Sequence, residues 1–256
     1  MGTNNEKILI IDNKQTKKII LNRPDKRNSL DEEMINGIID AVNIFSNDSE
    51  TRSVIITGAG GNFCSGLNLD YLHKISEFDI IDNKKDSENF KNLLLTIYRC
   101  NKPTIAMVEG YALAGGCGIA SACDLVIASD KAQFGYTEVK IGFIPAIVMN
   151  FLLKRVSEAQ AKDLLLTCKF ITGAEAFRIG FANYLVEQYM IESFTDKLCE
   201  CLNQLPASSV MLTKEMFRNI SSMGFESALG YAVDMNALTR MTEECKNGIK
   251  RFLSKQ

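Results

Sequence analysis

Three short apolar runs, each followed by a glycine-rich or helical segment, constrain the fold of this chain more than any other feature. They are residues 54–57, 104–108 and 124–128. Such runs, bounded by turns, are typical of strands buried on both faces. Strands that alternate with helices become parallel neighbours joined by crossovers, so the pattern predicts an α/β core rather than a β-sandwich.

The amino-terminal part of the chain is predicted to form two strands and a helix. The strands are residues 8–11 and 18–21, and apolar residues recur at helical spacing over residues 34–45. Ser29, with Glu32 three positions later, is typical of a capping box at the start of this helix.

Two segments in the middle of the chain have a less regular pattern. Residues 110–116 are predicted to be a glycine-rich loop that leads into a helix at 117–123. Residues 77–92 are charged and rich in Asn, which fits either a mobile loop or a solvated helix.

Beyond Ile147 the pattern changes to successive helices, with no run that predicts a strand. The predicted helices are residues 159–166, 174–179, 191–205, 208–220 and 225–242. We therefore expect a core domain over residues 1–195 and a helical carboxyl-terminal region over residues 196–256.

Charge and composition argue against several classes of function. The 29 basic and 31 acidic residues leave a net charge of −2, which favours neither nucleic acid nor an anionic membrane as a partner. No apolar run approaches the ~20 residues of a spanning helix, and the polar start of the chain lacks the apolar segment of a secretory signal. We therefore expect a cytoplasmic protein. The eight cysteines show no C-x2-C spacing, so no metal site is expected.

A nucleophilic hydrolase is poorly supported. Cys64 and Ser65 lie in the glycine-rich segment 58–66, but each would need a base, and the only histidine, His73, stands in a polar context typical of a surface residue. The same segment lacks the spacing of nucleotide-binding glycine loops. A carboxylate is the remaining acid–base candidate. Glu138 follows aromatic and apolar residues, where burial would raise its pKa.

The glycine-rich turns at 58–66 and 114–116 each follow a predicted parallel strand. The second turn opens a helix, whose first N–H groups have no partner within the helix. The two turns could therefore direct two backbone N–H groups at one oxygen, which is the geometry of an oxyanion hole.

Four motifs, in matching order and spacing, resemble those of the crotonase superfamily, the enoyl-CoA hydratases and isomerases. They are NRPDKRNSL at 22–30, NFCSGLNL at 62–69, GYALAGGC at 110–117 and AQFG at 132–135 followed by Glu138. The resemblance implies a crotonase fold, in which repeated ββα units form an α/β core and a carboxyl-terminal helical region mediates assembly into a homotrimer or hexamer.

The resemblance also implies where the chemistry takes place. The backbone N–H groups of Leu67 and Gly115 would hold the thioester oxygen of an acyl-CoA, and Glu138 would serve as acid and base. The coenzyme A thioester is then the substrate, and no further cofactor is implied.

Five further residues are implied to bind the coenzyme A part of the substrate. Lys26, Ser65 and Leu69 would do so from the amino-terminal half of the same chain. Phe252 and Lys255, at the carboxyl terminus, would reach the coenzyme A of an adjacent subunit. A plain amphipathic helix is the alternative for those last two residues.

One position departs from the pattern of typical hydratases. These enzymes carry two glutamates, and the first would stand at Gly118, twenty residues before Glu138. A single carboxylate suffices for a Δ3,Δ2-enoyl-CoA isomerase, which moves a proton between two carbons. The sequence over residues 114–118 and 137–155, however, resembles the methylglutaconyl-CoA hydratase branch, which often lacks the first glutamate as well.

We therefore expect an acyl-CoA lyase that adds water across the double bond of a 2-enoyl-CoA, with branched or carboxylated acyl chains among the candidate substrates. Two alternatives remain open at this stage. One is the isomerase, which would use the same Glu138. The other is a catalytically weak crotonase-like protein that binds acyl-CoA.

Overall fold

The computed structural model describes residues 6–254 of the chain. The strands, in chain order, are β1 Ile8–Asn13, β2 Thr16–Leu21, β3 Ser53–Gly58, β4 Thr104–Val108, β5 Tyr111–Leu113, β6 Leu125–Ser129, β7 Gln133–Gly135, β8 Phe170–Thr172 and β9 Tyr184–Val186. The first helices are α1 Glu32–Asn47, α2 Leu69–Ser76, α3 Ile80–Arg99, α4 Gly115–Ala122, α5 Ala146–Leu152 and α6 Glu158–Thr167. The later helices are α7 Gly173–Arg178, α8 Ile191–Asn203, α9 Ala207–Ile220, α10 Phe225–Met241 and α11 Glu243–Leu253.

Two sheets form the core. The larger sheet has the strand order β1-β2-β3-β4-β6-β9, with β1 antiparallel to β2 and all other neighbours parallel. The smaller sheet has the order β5-β7-β8, with β5 and β7 parallel. β4 and β6 belong to the larger sheet, and β5 and β7, which follow them in the chain, belong to the smaller one. The next α-helix after β5 is α4, and the next after β7 is α5. This arrangement confirms the predicted α/β core of ββα units.

The strands that the sequence analysis missed are all short. β5, β7, β8 and β9 have three residues each, and β8 and β9 lie beyond Ile147, where no strand was expected. β5 also occupies part of the predicted loop at 110–116. Three residues are too few to show the alternation of apolar and polar residues that identifies a strand in the sequence. These strands are defined instead by their pairing with distant segments.

The N-cap residue of helix α1 lies two positions later than the predicted cap. Asp31 is its N-cap residue and accepts a hydrogen bond from the Met34 N–H at 3.0 Å. The predicted capping box of Ser29 and Glu32 is therefore wrong. The Ser29 hydroxyl instead lies 3.3 Å from the side-chain amide nitrogen of Asn68, which donates to it.

Residues 80–99 form a long helix, so the helical alternative for the Asn-rich segment is correct for most of its length. Asp79 caps α3 by accepting from the N–H groups of Ile81 and Asp82. The first half of α3 is mostly exposed, whereas Leu93 and Leu94 are buried in the core. α3 packs against α1 and α4, so it covers the helix that opens the site described below.

Arg155 fixes the carboxyl end of α4. Its guanidinium donates to the carbonyl oxygens of Ser121 at 3.0 Å and Phe181 at 3.2 Å, and also to that of Cys123. A carbonyl group left without a partner in the interior costs about 1–3 kcal/mol. Arg155 therefore ties α4 to the loop before β9.

We expect Arg155→Met to lower the free energy of unfolding by about 3 kcal/mol, because several inward-facing carbonyls would lose their donor at once. The matched control is Arg178→Met, since Arg178 pairs with Glu175 at the surface and such pairs contribute little. Urea denaturation of both variants is the measurement. Equal losses in the two variants would contradict this role.

The carboxyl-terminal helices lie at the amino ends of the parallel strands. Arg52, which precedes β3, donates to the Leu205 carbonyl, and Lys214 on α9 pairs with Asp124, which precedes β6. α8 packs on the larger sheet, and the expected domain boundary at 195/196 falls within this helix; the two-part division stays a prediction. Among residues 6–254, no helix combines the length and apolar character needed to cross a bilayer.

Candidate active site

The loop after β3 is held in place by Asn28, a fully buried side chain. Its amide nitrogen donates to the carbonyl oxygens of Ala59 at 2.9 Å and Asn62 at 2.7 Å. The loop then pairs with β5, because the Cys64 N–H donates to Tyr111 and the Leu113 N–H donates back to Cys64. The first glycine-rich turn is thereby fixed against the strand that leads into the second turn.

Leu67 lies opposite Leu30 in an isolated parallel bridge. The Leu30 N–H donates to the Gly66 carbonyl at 2.7 Å, and the Asn68 N–H donates to the Leu30 carbonyl at 2.8 Å. In a parallel bridge of this kind, the N–H of the middle residue points away from the partner segment. The hydrogen bonds found within residues 6–254 include none donated by the Leu67 N–H.

The second turn places Gly115 at the first position of α4, where a backbone N–H has no acceptor within the helix. The preceding Ala114 has φ of 47° and ψ of −114°, a region that non-glycine residues rarely adopt, and its N–H donates to the Gly135 carbonyl at 2.8 Å. Backbone strain of this kind tends to persist where function requires a particular geometry.

The two turns meet at Gly66. Its φ of +89° favours glycine, and a Cβ built on it would lie 3.5 Å from the Gly115 nitrogen and 3.1 Å from the Ala114 Cβ. The peptide that carries the Leu67 N–H therefore lies beside the amino end of α4. Two N–H groups and the positive end of a helix dipole meet there, which suits an oxygen that gains negative charge.

Glu138 starts a short 3₁₀ helix, Glu138–Ile141, three residues after β7. The preceding strand, β7, is adjacent to the second turn, because β7 pairs with β5 and the Gly135 carbonyl accepts the Ala114 N–H. The Glu138 Oε2 atom is buried, and no hydrogen-bond partner for it is found among the described residues. Burial raises the pKa of this carboxyl, while backbone groups of Thr137 and Glu138 act in the opposite direction.

Apolar side chains surround Gly118, the position at which typical hydratases carry their first glutamate. A Cβ built on Gly118 would lie 2.7 Å from Val148 Cγ1, 3.3 Å from Leu94 Cδ1 and 3.6 Å from Phe90 Cζ. A glutamate side chain has no room there unless these neighbours move. Among the described residues near α4, Glu138 is thus the carboxylate that remains for acid–base chemistry.

Three of the residues expected to bind coenzyme A lie together beside the first turn. The Ser65 N–H donates to the Arg27 carbonyl at 3.0 Å, and the Ser65 hydroxyl lies 3.4 Å from the Lys26 carbonyl. The Lys26 ammonium pairs with Asp70 at 2.9 Å, next to Leu69, whose side chain is 80 % exposed. This exposed group stands at the rim of the site and contains one cation.

The structure does not bring Phe252 to this rim within one chain. α11 begins beside α9, where Glu244 accepts from the N–H groups of Ala207 and Ser208. That position is at the amino ends of the strands, whereas Lys26 lies at the carboxyl ends. Phe252 is 68 % exposed on α11, and its contact with a neighbouring subunit stays a prediction. Lys255 lies outside the described residues.

The surroundings of the remaining nucleophile candidates do not favour hydrolytic chemistry. His73 is exposed on α2 and forms no pair with Ser65 or Cys64 within residues 6–254. Cys64 is fully buried, and burial raises the pKa of its thiol to about 12, which keeps it protonated at neutral pH. Across the described part of the chain, no three His, Cys, Asp or Glu side chains gather as metal ligands would.

Three residues of the site had no role in the sequence analysis. Asn28 holds the first turn in place through its side-chain hydrogen bonds. Its position inside the motif at 22–30 is the feature of the sequence that could have indicated this role. Phe90 and Val148 pack against α4 from distant parts of the chain. No local pattern indicates such contacts, because they depend on how α3 and α5 pack.

Comparison with known proteins supports the same assignment of fold and family. The family model for enoyl-CoA hydratase/isomerase matches residues 12–256. A Thermus thermophilus protein described as an enoyl-CoA hydratase is 37% identical over 93% of this chain and 94% of its own length. A short-chain-enoyl-CoA hydratase of Clostridium acetobutylicum is 31% identical, with 93% and 91% covered.

A solved structure from Legionella pneumophila, described as an enoyl-CoA hydratase/isomerase (crotonase), superposes with a TM-score of 0.92. It is 27% identical, and the match covers 99% of this chain and 98% of that one. The agreement of fold, motifs and coverage leads to one conclusion: the chain belongs to the enoyl-CoA hydratase/isomerase family and has the crotonase fold.

Proposed function

We propose that this protein is an enoyl-CoA hydratase in which Glu138 is the single acid–base group. The observation that carries the proposal is the buried, unpartnered Oε2 atom of Glu138, in the short 3₁₀ helix that follows β7, the strand beside the second of the two convergent turns. A buried carboxylate oxygen without a partner costs free energy, so its presence favours a functional role. Relatives named as enoyl-CoA hydratases support the reaction type.

In the proposed reaction, the thioester oxygen of a 2-enoyl-CoA accepts hydrogen bonds from the N–H groups of Leu67 and Gly115. The Glu138 carboxylate removes a proton from water while the water oxygen bonds to Cβ, and the electron pair of the double bond moves onto the thioester as an enolate. Glu138 then returns that proton to Cα, and the enolate collapses to the thioester. The sum is one water added, and no cofactor takes part.

The pH dependence of kcat/KM follows from the state of Glu138. The ionised form is the base, so activity should rise with pH as the carboxyl loses its proton. Because burial raises the pKa of Glu138, the midpoint of this rise should lie above the ordinary value of 4.5. Initial rates of crotonyl-CoA hydration across acidic pH measure it. A midpoint at or below 4.5 would contradict the proposed base.

The direct test of the reaction uses two isomeric substrates, a 2-enoyl-CoA and the matching 3-enoyl-CoA. Loss of the absorbance of the conjugated thioester, with a product mass increased by one water, is expected for the 2-enoyl-CoA. A protein that binds both thioesters but changes neither would refute hydratase activity and support a binding function.

A second candidate is the Δ3,Δ2-enoyl-CoA isomerase, and the surroundings of Gly118 favour it. Val148 and Leu94 occupy the space in which a second carboxylate would hold water. Glu138 alone could then remove a proton from Cα of a 3-enoyl-CoA and deliver it to Cγ. A shifted double bond without added water would identify this activity.

We also propose that the protein is a homotrimer or a hexamer. The carboxyl-terminal helices expose large apolar side chains, among them Phe217, Leu229, Val233 and Met241, each more than half exposed. Side chains of this size are commonly covered by a partner. Light scattering should give three or six times the 28.5 kDa of one chain, and a monomeric mass would refute the proposal.

A further inference from the structure

Phe90, Leu94 and Val148 form an apolar wall along one side of α4. All three lie within 3.6 Å of the position that a Gly118 Cβ would take. Leu94 and Val148 are buried, and Phe90 is partly exposed at the edge of the core cluster. Phe90 is therefore the member of the wall that a bound molecule can reach.

The apolar wall begins at the proposed oxyanion donor. Phe90 Cζ lies 3.2 Å from the position of a Gly115 Cβ as well as 3.6 Å from that of Gly118. A helix rises about 1.5 Å per residue, so Gly118 stands ~4.5 Å along α4 from Gly115. The first carbons of an acyl chain, whose carbonyl is held at Gly115, span a similar distance.

The pKa values of Glu138 and Cys117, beside the first half of α4, show no influence of a cation, whereas the charge of Arg155, which is bound to the carboxyl end of the helix, acts on Cys123 and Tyr136. Burial raises the pKa of Glu138, and burial together with the charge of Glu138 raises the pKa of Cys117. The basic side chains closest in sequence have other partners, since Lys91 pairs with Glu88 and Lys140 lies 5.3 Å from the ring centroid of Phe170. A carboxylate of the substrate placed beside Phe90, Leu94 and Val148 would thus lie among apolar side chains.

We propose that the apolar wall selects uncharged acyl chains over carboxylated ones, and that Phe90 limits their length. The inference rests on the proposed function, because it places an acyl-CoA at the site. It disfavours the carboxylated substrates of the sequence analysis, because a carboxylate buried against the wall would lose its hydration without gaining a partner.

The test uses saturated acyl-CoAs, which bind but cannot be hydrated, in calorimetric titrations. Pentanoyl-CoA and glutaryl-CoA compare a terminal methyl group with a terminal carboxylate, and butyryl-CoA and decanoyl-CoA compare lengths. The wild-type protein should bind pentanoyl-CoA at least tenfold more tightly than glutaryl-CoA. Phe90→Ala should raise the decanoyl-to-butyryl affinity ratio, by about fourfold for each methylene newly buried.

Leu95→Ala is the matched control, because Leu95 is a partly buried apolar residue on the same helix that is not among the three nearest neighbours of the Gly118 Cβ position. It should leave both affinity ratios unchanged. Phe90→Lys should shift the preference toward glutaryl-CoA, whereas Leu95→Lys should not. Equal wild-type binding of pentanoyl-CoA and glutaryl-CoA, or equal length ratios in Phe90→Ala and Leu95→Ala, would overturn the inference.

The outcomes separate this inference from the proposed function. If no 2-enoyl-CoA were hydrated, the proposed hydratase activity would be refuted. The binding ratios of the saturated thioesters would still test whether the apolar wall selects uncharged acyl chains. Conversely, a protein that hydrates 2-enoyl-CoA but binds glutaryl-CoA and pentanoyl-CoA with equal affinity would refute only the proposed selectivity of the apolar wall.

Discussion

Glu138→Gln is expected to lower kcat for crotonyl-CoA hydration by roughly 10²–10⁴-fold, the usual contribution of a positioned acid–base group. The amide keeps the size of the side chain but cannot accept and return the proton. The thioester would still be held by the N–H groups of Leu67 and Gly115. The affinity for butyryl-CoA, measured by calorimetry, should therefore change little.

Glu158→Gln is the matched control for this variant. Glu158 lies in the first turn of α6, where it pairs with Lys162 at the surface, far in sequence from the two turns. Its replacement should leave kcat and butyryl-CoA affinity unchanged. If Glu138→Gln retained wild-type turnover, Glu138 would not be the acid–base group. If it lost butyryl-CoA binding to the same extent as turnover, its role would be structural.

Gly116→Ala is expected to have the second largest effect, because it separates the two turns. A Cβ on Gly116 would overlap the carbonyl oxygen of Cys64, the atom that accepts the Leu113 N–H. The backbone must shift, which moves the Leu67 N–H relative to the Gly115 N–H. We expect kcat to fall by about 100-fold or more, the loss typical for one oxyanion donor, and stability to fall by about 1–3 kcal/mol.

The control for this second variant is Gly230→Ala. Gly230 lies inside α10, and its added Cβ would meet no atom within 4 Å. Replacing glycine by alanine in a helix reduces the freedom of the unfolded chain, so stability should rise by about 0.4–1 kcal/mol with kcat unchanged. Rates and urea denaturation of both variants measure these effects. Wild-type kcat in a folded Gly116→Ala protein would show that the contact between the turns is not needed.

The sequence predicted the long elements of the fold because their signals are local. The buried runs at 54–57 and 104–108 are continuous apolar stretches, and they became β3 and β4. The strands β8 and β9 escaped prediction because their pairing with β7 and β6 is set by distant residues. The sequence does not decide where α1 starts, because Ser29 and Asp31 are both suitable caps. In the structure Asp31 accepts the Met34 N–H, while Ser29 contacts Asn68.

The meeting of the two turns could be predicted for a topological reason. Each turn follows a parallel strand, and the carboxyl ends of neighbouring parallel strands lie at the same edge of a sheet. In the structure the second turn follows β5 of the smaller sheet, and the bridge between Cys64 and Ala112 brings Gly66 close to Gly115. The packing of Phe90 and Val148 around Gly118 could not be predicted, because it depends on the relative positions of α3, α4 and α5.

The most direct test of the central claim is the fate of crotonyl-CoA incubated with the wild-type protein in D2O, followed by mass and nuclear magnetic resonance. Hydration through Glu138 predicts 3-hydroxybutyryl-CoA with one carbon-bound deuterium, located at Cα. Glu138→Gln should form this product only at its strongly reduced rate. Deuterium at Cγ without added water, or crotonyl-CoA recovered unchanged, would contradict the proposal that this chain is a hydratase with Glu138 as its acid–base group.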